Sequence, residues 1–412
     1  MAPSLVVAAP LSDQEMKFDV DVDVDVDVDV NYSMEKKASS QTQTPVFRQV
    51  VARLTSHRDD AVVHYPPESE TNVDGTGDGV ESGKGDWLHD VTRDLLRRPL
   101  QEQQYLEALE TRADATALRT FTLISGPNGS GRELLARSIK PVVDKMGGYL
   151  LTGKFEKHTQ PTPFGAYVMV INEFIQLVIR RGEKEVELFA KGIIEYAGSN
   201  VGVLVRWIPA ISEIIKPMPK PVTATNAGYT DRFAFALKAV RRAMDKTGRP
   251  IFLILENIHL ADTSSLEMLA SLLRRPHECT GYLIATVDNH IAPDSEVAAK
   301  LRDAEDLTKV TIINIPVEVI TEERIEQVFA SNLEMNQEDS KIIAQTVHQR
   351  TEGDFYLTEL LLRWMRKKEI IAHDSETGTY FLNKKVSNSA LGRKRGSEIL
   401  MEELENLCPD NS

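Results

Sequence analysis

The sequence predicts an α/β fold with a parallel sheet covered by helices on both faces, a helical insert, and a C-terminal helical lid carrying a wing-like hairpin. Three observations support this prediction. Short apolar runs alternate with amphipathic helical segments, as in parallel sheets buried on both faces. The connection between the second and third runs is about a hundred residues long and must contain helices of its own. Beyond residue 316 the strand pattern stops while helical spacing continues.

The individual elements follow from the spacing of apolar residues. Apolar runs bounded by turn residues predict strands at 121–124, 149–152, 251–255, 282–286 and 310–313. Apolar positions three or four residues apart predict helices at 100–109, 133–146, 167–180, 232–246, 264–274, 296–302, 321–332, 337–349 and 355–368. The segment 370–383 is predicted to be a hairpin that turns at Glu376, Thr377 and Gly378.

Charge and composition divide the chain into domains. Residues 1–94 hold 19 of the 62 acidic residues and only 8 of the 48 basic ones. They include six consecutive Asp-Val repeats at 19–30, which favour a disordered tract, with ion or partner binding as the alternative. The predicted units are an acidic disordered arm (1–94), an α/β domain (95–316) with its insert at 156–248, a lid and hairpin (317–385), and a flexible tail (386–412).

Other features restrict the compartment and the partners. The nearly neutral body offers no cationic stripe, which argues against nucleic acid as a partner and leaves protein partners as the expectation. Cys279 and Cys408 fit neither a disulfide framework nor a metal site, which indicates a reducing, cytoplasmic compartment. The basic cluster at 392–395 offers a nuclear alternative. Charged residues interrupt the apolar stretch 192–215, so no membrane span is predicted.

The segment between the first strand and its helix is the candidate nucleotide-binding loop. Its residues are Gly126, Pro127, Asn128, Gly129, Ser130, Gly131, Arg132 and Glu133. The glycines have the spacing of the phosphate loop G-x-x-x-x-G-K-[ST], in which backbone N–H groups converge on an anion. The alternative is a strand-to-helix turn that merely requires glycine.

Two positions of this loop differ from the phosphate-loop pattern. Arg132 replaces the lysine that contacts the outer phosphates, and Glu133 replaces the hydroxyl that binds magnesium. Arg132 keeps the charge in a broader, planar group. A carboxylate at Glu133 would repel a polyphosphate, with about 1–4 kcal/mol for one like-charge pair at 4–5 Å. The alternative is that Glu133 itself coordinates Mg²⁺.

The third strand ends in the residues expected to complete the site. Glu256 is the candidate ligand for metal-bound water, and Asn257 stands where a general base would orient the attacking water. An amide has no useful basicity, so the predicted catalytic pair is degenerate and hydrolysis is expected to be weak or absent. ATP and Mg²⁺ are the expected cofactors, with weakened binding.

Together these segments resemble the origin-recognition-like AAA ATPase domain of STAND-type P-loop NTPases, with altered Walker A and Walker B motifs. The strand and loop at 123–131, the pattern Gly147-Gly148-Tyr149, and the segment 255–262, similar to LDDLQWAD, carry the resemblance. The segment 351–357 is similar to the lid motif TxGNPFFL. The resemblance covers about residues 95–385 and implies a P-loop NTPase fold.

Three functions remain open on this basis. The first is a degenerate ATPase-like module for signalling or interaction, either nucleotide-responsive or nucleotide-independent, with little or no hydrolysis. The second is a working ATPase switch in which Arg132 replaces lysine while Glu133 and Glu256 hold Mg²⁺. The third is a DNA-associated initiator-like protein, suggested by the hairpin. The oligomeric state does not follow from the sequence.

Overall fold

The computed structural model describes residues 87–113, 120–157, 163–216, 229–274, 281–289, 295–308, 310–374 and 377–384. Several features singled out above lie outside these residues. They are the Asp-Val repeat, the two cysteines, Glu376 of the hairpin turn, and the tail with its basic cluster.

A five-stranded parallel sheet forms the centre of the α/β domain. Its strands are β1 (Thr120–Ser125), β2 (Tyr149–Lys154), β3 (Ile251–Glu256), β4 (Tyr282–Val287) and β5 (Thr311–Pro316). They lie in the order β2-β3-β4-β1-β5, and every neighbouring pair is parallel. All six residues of β3 are buried, as expected of an apolar run covered on both faces. The predicted fold class is confirmed.

Helices cover the sheet, build the insert and form the lid. Those before and around the sheet are α1 (Trp87–Leu96), α2 (Pro99–Ala113), α3 (Arg132–Arg137), α4 (Lys140–Lys145), α10 (Thr263–Arg274) and α11 (Glu296–Thr308). The insert between β2 and β3 contains α5 (Gly165–Arg181), α6 (Glu183–Ala197), α7 (Val201–Trp207), α8 (Ile211–Ile214) and α9 (Tyr229–Asp245). The lid contains α12 (Glu322–Asn332), α13 (Gln337–Thr351) and α14 (Phe355–Lys367), followed by the antiparallel hairpin β6 (Ile371–His373) and β7 (Tyr380–Leu382).

The structure differs from the sequence prediction at two places near the start of the α/β domain. Residues 87–94, assigned to the disordered arm, belong to α1, because Val91 and Leu95 are buried in the apolar core of the lid. The single helix predicted at 133–146 is two helices, α3 and α4. Pro141 lies at the start of α4, where its missing N–H is tolerated. In the interior of one continuous helix, the same proline would break the hydrogen-bond pattern.

Two apolar contacts join distant parts of the chain. In the insert, α6 packs closely on α9, and Gly192 allows this because a Cβ there would lie 3.0 Å from the Cα of Ala243. In the lid, the Trp87 ring of α1 packs against Phe329 and Tyr380, with ring centroids 6.5 and 6.3 Å away. Among the described helices, none is both long enough and apolar enough to cross a lipid bilayer.

Candidate nucleotide site at the phosphate loop

The candidate loop begins at the carboxyl end of β1, between the ends of two neighbouring strands. The N–H of Gly126 donates to the carbonyl of Val287 at 3.1 Å, and the N–H of Val317 donates to the carbonyl of Ser125 at 2.7 Å. A Cβ at Gly126 would lie 2.4 Å from the Val317 carbonyl oxygen, so glycine is required there. Open α/β sheets bind ligands outside this edge, and the loop therefore lies where a ligand is expected.

Two further glycines shape the turn from β1 into α3. Gly129 and Gly131 have φ angles of 77° and 84°, which residues with a Cβ rarely adopt. The Gly131 carbonyl then accepts the first helical hydrogen bond, from the Leu135 N–H at 3.0 Å. Ser130 N–H donates to the Pro127 carbonyl at 3.2 Å and closes the turn. The backbone thus turns tightly from β1 into α3 at the glycines that the sequence places there.

Arg132 is folded back into this loop, and its side chain is only 2% exposed. Its Nη1 donates to the carbonyl of Gly126. Its Nη2 donates to Oδ1 of Asn128 at 2.9 Å and to Oδ1 of Asn257 at 2.7 Å. Its Nε donates to Oε1 of Glu133 at 2.9 Å. All three guanidinium nitrogens therefore bind groups of the protein itself.

Glu133 is partly exposed and forms an ion pair with Arg132. Its side chain is 29% exposed, and the pair with Arg132 lies at the first turn of α3. A negative charge at this end of a helix is favourable. The predicted repulsion between Glu133 and a polyphosphate remains a prediction, and the pair with Arg132 is an interaction that the sequence pattern did not identify.

Glu256 lies at the end of β3 and is completely buried. Arg137, at the end of α3, holds it through two hydrogen bonds, from Nε to Oε1 at 2.7 Å and from Nη2 to Oε2 at 2.9 Å. Burial raises the pKa of the Glu256 carboxyl above its ordinary value, and the Arg137 guanidinium opposes this rise. Each carboxylate oxygen of this predicted metal ligand therefore accepts a hydrogen bond from the same guanidinium cation.

Asn257 and His259 come directly after β3, and Asn257 is the one that accepts a hydrogen bond from Arg132. Asn257 has a left-handed backbone, with φ 59°, and its N–H donates to Oγ1 of Thr286 at 2.9 Å. Nδ1 of His259 accepts the N–H of Asp288 at 3.2 Å, so the proton of the neutral ring is on Nε2. Burial, followed by the Arg132 charge, lowers the pKa of His259. Its imidazole is therefore neutral at pH 7.

The neutral His259 predicts a pH dependence of stability. Below about pH 6.5 the unfolded chain binds a proton at this residue that the folded chain binds less readily, so the free energy of unfolding falls as the pH decreases. We expect His259→Gln to reduce the loss of stability between pH 7.5 and 5.5, measured by urea unfolding. The exposed His89→Gln controls for removal of a histidine. An unchanged loss in His259→Gln would contradict this assignment.

The lid covers the outer side of the loop. The N–H of Phe355 donates to the Gly129 carbonyl at 2.8 Å, and a Cβ on Gly129 would lie 1.9 Å from Oδ2 of Asp354. Oδ1 of Asp354 caps α14 by accepting the Leu357 N–H at 2.9 Å. Arg98, between α1 and α2, donates from Nη2 to the carbonyls of Ser130 at 3.5 Å and Glu318 at 3.1 Å. The sequence pattern identified none of these contacts.

The residues present do not fit a triphosphate with its magnesium ion. One group could bind an anion: the buried Ser130 hydroxyl has no hydrogen-bond partner among the described residues. Against it, the Arg132 guanidinium is used by the loop, and the Asp354 carboxylate lies against Gly129. Glu133 and Glu256, the two predicted Mg²⁺ ligands, are each paired with an arginine.

Comparisons with known proteins agree with the fold class. Residues 95–285 match the family model described as AAA ATPase domain. A Dictyostelium discoideum protein named hybrid signal transduction histidine kinase G is 24% identical over 189 residues, which are 44% of this chain and 5% of that protein. The matched part is thus a small fraction of that relative's length.

Two solved structures have detectable similarity to this chain. Cdc6p from Pyrobaculum aerophilum has a TM-score of 0.38 at 12% identity, covering 66% of this chain and 63% of that one. A Drosophila ORC structure with GC-rich DNA and Cdc6 has a TM-score of 0.28 at 13% identity, covering 78% and 94%. The family match, together with the five-stranded parallel sheet, identifies residues 95–285 as similar to an AAA ATPase domain.

Proposed function

We propose that this protein is a degenerate AAA-type module that serves as a nucleotide-independent interaction unit in signalling, with little or no ATP hydrolysis. The position of Arg132 carries the proposal. A phosphate loop binds anions with its cationic side chain and its backbone N–H groups. Here the cation is buried at 2% exposure and is bound to Gly126, Asn128, Asn257 and Glu133. An incoming phosphate would have to displace these contacts before it gained its own.

The residues at the end of β3 support the absence of hydrolysis. Attack by water on a phosphoryl group needs a residue that positions or deprotonates that water. Asn257 stands at this position, and its amide oxygen accepts from Arg132. Glu256 is buried and paired with Arg137. Loss of a general base lowers a rate by about 10²–10⁴-fold.

A role in signalling and protein partnership rests on different support. The relative found by sequence is a signal transduction histidine kinase, although the match covers only 5% of its length. The body of this chain is nearly neutral, which favours protein partners over nucleic acid. An interaction module needs only a stable surface, and the hydrogen bond from Phe355 to Gly129 joins the lid to the loop through groups of the protein itself.

Titration of the full-length protein with ATP tests the proposal. At about 1 mM Mg-ATP, a site with a Kd near 10 µM would raise the free energy of unfolding by about 2.7 kcal/mol. We expect a gain of at most about 0.4 kcal/mol, the value for a Kd of about 1 mM or weaker. Calorimetry should show no binding heat, and phosphate release should equal that of buffer.

Reversion of the altered loop provides the matched comparison. We expect Arg132→Lys with Glu133→Ser to bind ATP detectably, and added Asp354→Asn to bind it more tightly, because each change removes a contact or charge that opposes phosphate. Tight binding by the wild-type chain, with phosphate release abolished in Glu256→Gln, would overturn the proposal in favour of an ATPase switch. Reverted variants that fold but do not bind ATP would contradict the explanation given for the loop.

A further inference from the structure

The ion pair between Arg137 and Glu256 places a fixed cation at the end of β3. Glu256 is fully buried, whereas the Arg137 side chain is 35% exposed and reaches it from α3. The two hydrogen bonds, of 2.7 and 2.9 Å, join both oxygens of the carboxylate to two nitrogens of one guanidinium. Such a bidentate arrangement is among the strongest and most directional pairings of side chains.

A metal ion at this carboxylate would compete with that guanidinium. Mg²⁺ requires oxygen ligands in near-octahedral geometry at about 2.0–2.1 Å, and it binds protein carboxylates through their free lone pairs. Both Glu256 oxygens already accept short charge-assisted hydrogen bonds. A divalent ion at either oxygen would also lie close to the positive Arg137, whose repulsion is poorly screened beside a buried group.

The second carboxylate near the loop is occupied in the same way. Oε1 of Glu133 accepts from Nε of Arg132 at 2.9 Å, and the hydroxyl that would complete a magnesium site in a phosphate loop is absent from this position. In the described part of the chain, no group of three or more His, Cys, Asp or Glu side chains is arranged to hold a metal ion.

We infer that Arg137 replaces the metal ion of this site: its guanidinium neutralises Glu256, and the protein does not bind Mg²⁺ at the end of β3. Anion or nucleotide binding at the loop is then independent of divalent metal. The inference goes beyond the proposed function, since a chain that bound ATP in EDTA would satisfy it while contradicting the proposal of nucleotide independence.

Manganese, a paramagnetic substitute for Mg²⁺, provides the direct test on the full-length protein without nucleotide. We expect the electron paramagnetic resonance signal of free Mn²⁺ to be the same with wild-type protein and with Glu256→Gln. Mn²⁺ binding by the wild type that is lost in Glu256→Gln would overturn the inference. This outcome would leave the proposed function intact if ATP still failed to bind, so the two failures can be distinguished.

Thermal unfolding tests the pair itself. Removing Arg137 leaves the charge of the buried Glu256 uncompensated, so Arg137→Gln should lower the Tm by on the order of 10 °C. The double variant Arg137→Gln with Glu256→Gln should recover part of this loss, whereas Lys140→Gln, in an exposed pair with Asp144, should change the Tm by only about 1–2 °C. Added Mn²⁺ should raise the Tm of Arg137→Gln but not of the double variant. A Tm loss in Arg137→Gln no larger than in Lys140→Gln would overturn the inference. If Arg137→Gln does not fold, the electron paramagnetic resonance comparison of the wild type with Glu256→Gln still decides it.

Discussion

Replacing Gly353 by alanine is expected to destabilise the protein by about 2–5 kcal/mol, one of the largest effects of any single methyl group in this fold. Gly353 has a φ of 76° and lies in the turn between α13 and α14. A Cβ there would be 2.3 Å from the carbonyl oxygen of Ile320, whose N–H donates to the Gly353 carbonyl at 2.9 Å. The clash is with backbone, so it cannot be relieved by rotating a side chain. Chemical denaturation measures the loss.

Gly378, a glycine of the hairpin, separates the two causes of this loss, which are the clash with Ile320 and the left-handed backbone. Gly378 has nearly the same φ, 74°, but a Cβ there would meet nothing within 4 Å. Gly378→Ala should therefore lose only about 1–2 kcal/mol, the cost of a left-handed conformation. Equal losses at Gly353 and Gly378 would show that a clash between the added Cβ and Ile320 does not contribute to the loss at Gly353.

Arg132→Ala is the second large effect that the structure predicts, and it tests the internal use of the loop cation. The substitution leaves a small buried cavity and removes the donor from Asn128, Asn257 and Glu133. We expect a loss of about 2–5 kcal/mol in the free energy of unfolding, because buried polar groups left without partners are costly. Urea unfolding of the ligand-free protein measures it.

An exposed arginine supplies the comparison for Arg132. Arg363 pairs with Glu359 one turn away on α14, and its side chain is 50% exposed. Arg363→Ala should cost only about 0.3–0.5 kcal/mol, as is usual for exposed pairs on a helix. If Arg132→Ala costs no more than Arg363→Ala, the guanidinium does not hold the loop together, and the explanation for its burial is wrong.

Much of the α/β domain could be predicted because its central strands β3 and β4 are almost completely buried. The run at 251–255 is apolar without interruption, and β3 is buried over its whole length. The last strand extends further than predicted, through Asn314 to Pro316, because β5 is an edge strand where a polar residue and a proline are tolerated. Apolar periodicity cannot identify such a strand end.

The side-chain partners at the loop could not be predicted in the same way. The positions of Arg132, Glu133, Glu256 and Asn257 followed from spacing, and the structure places them at one edge of the sheet. Their partners depend on which nearby acceptor a long side chain reaches. The sequence shows Arg132 and Arg137 as cations near a phosphate loop but cannot show that the first turns inward and the second binds Glu256.

The contact between lid and loop could not be predicted from sequence patterns either. Asp354 is recognisable as the start of a helix, since an Asp before an amphipathic segment is a common cap. That the cap lies against Gly129 depends on how two units of the fold pack, over more than two hundred residues of chain. Short-range residue preferences contain no information about such a distance.

The packing of Trp87 on the lid has a practical consequence for any recombinant fragment. The family match begins at residue 95, near the end of α1, whereas Trp87 and Val91 belong to the apolar core that includes Phe329. A fragment trimmed to the matched boundary would expose that aromatic surface to water. Expression should therefore start upstream of Trp87, so that α1 is purified together with the lid that it packs against.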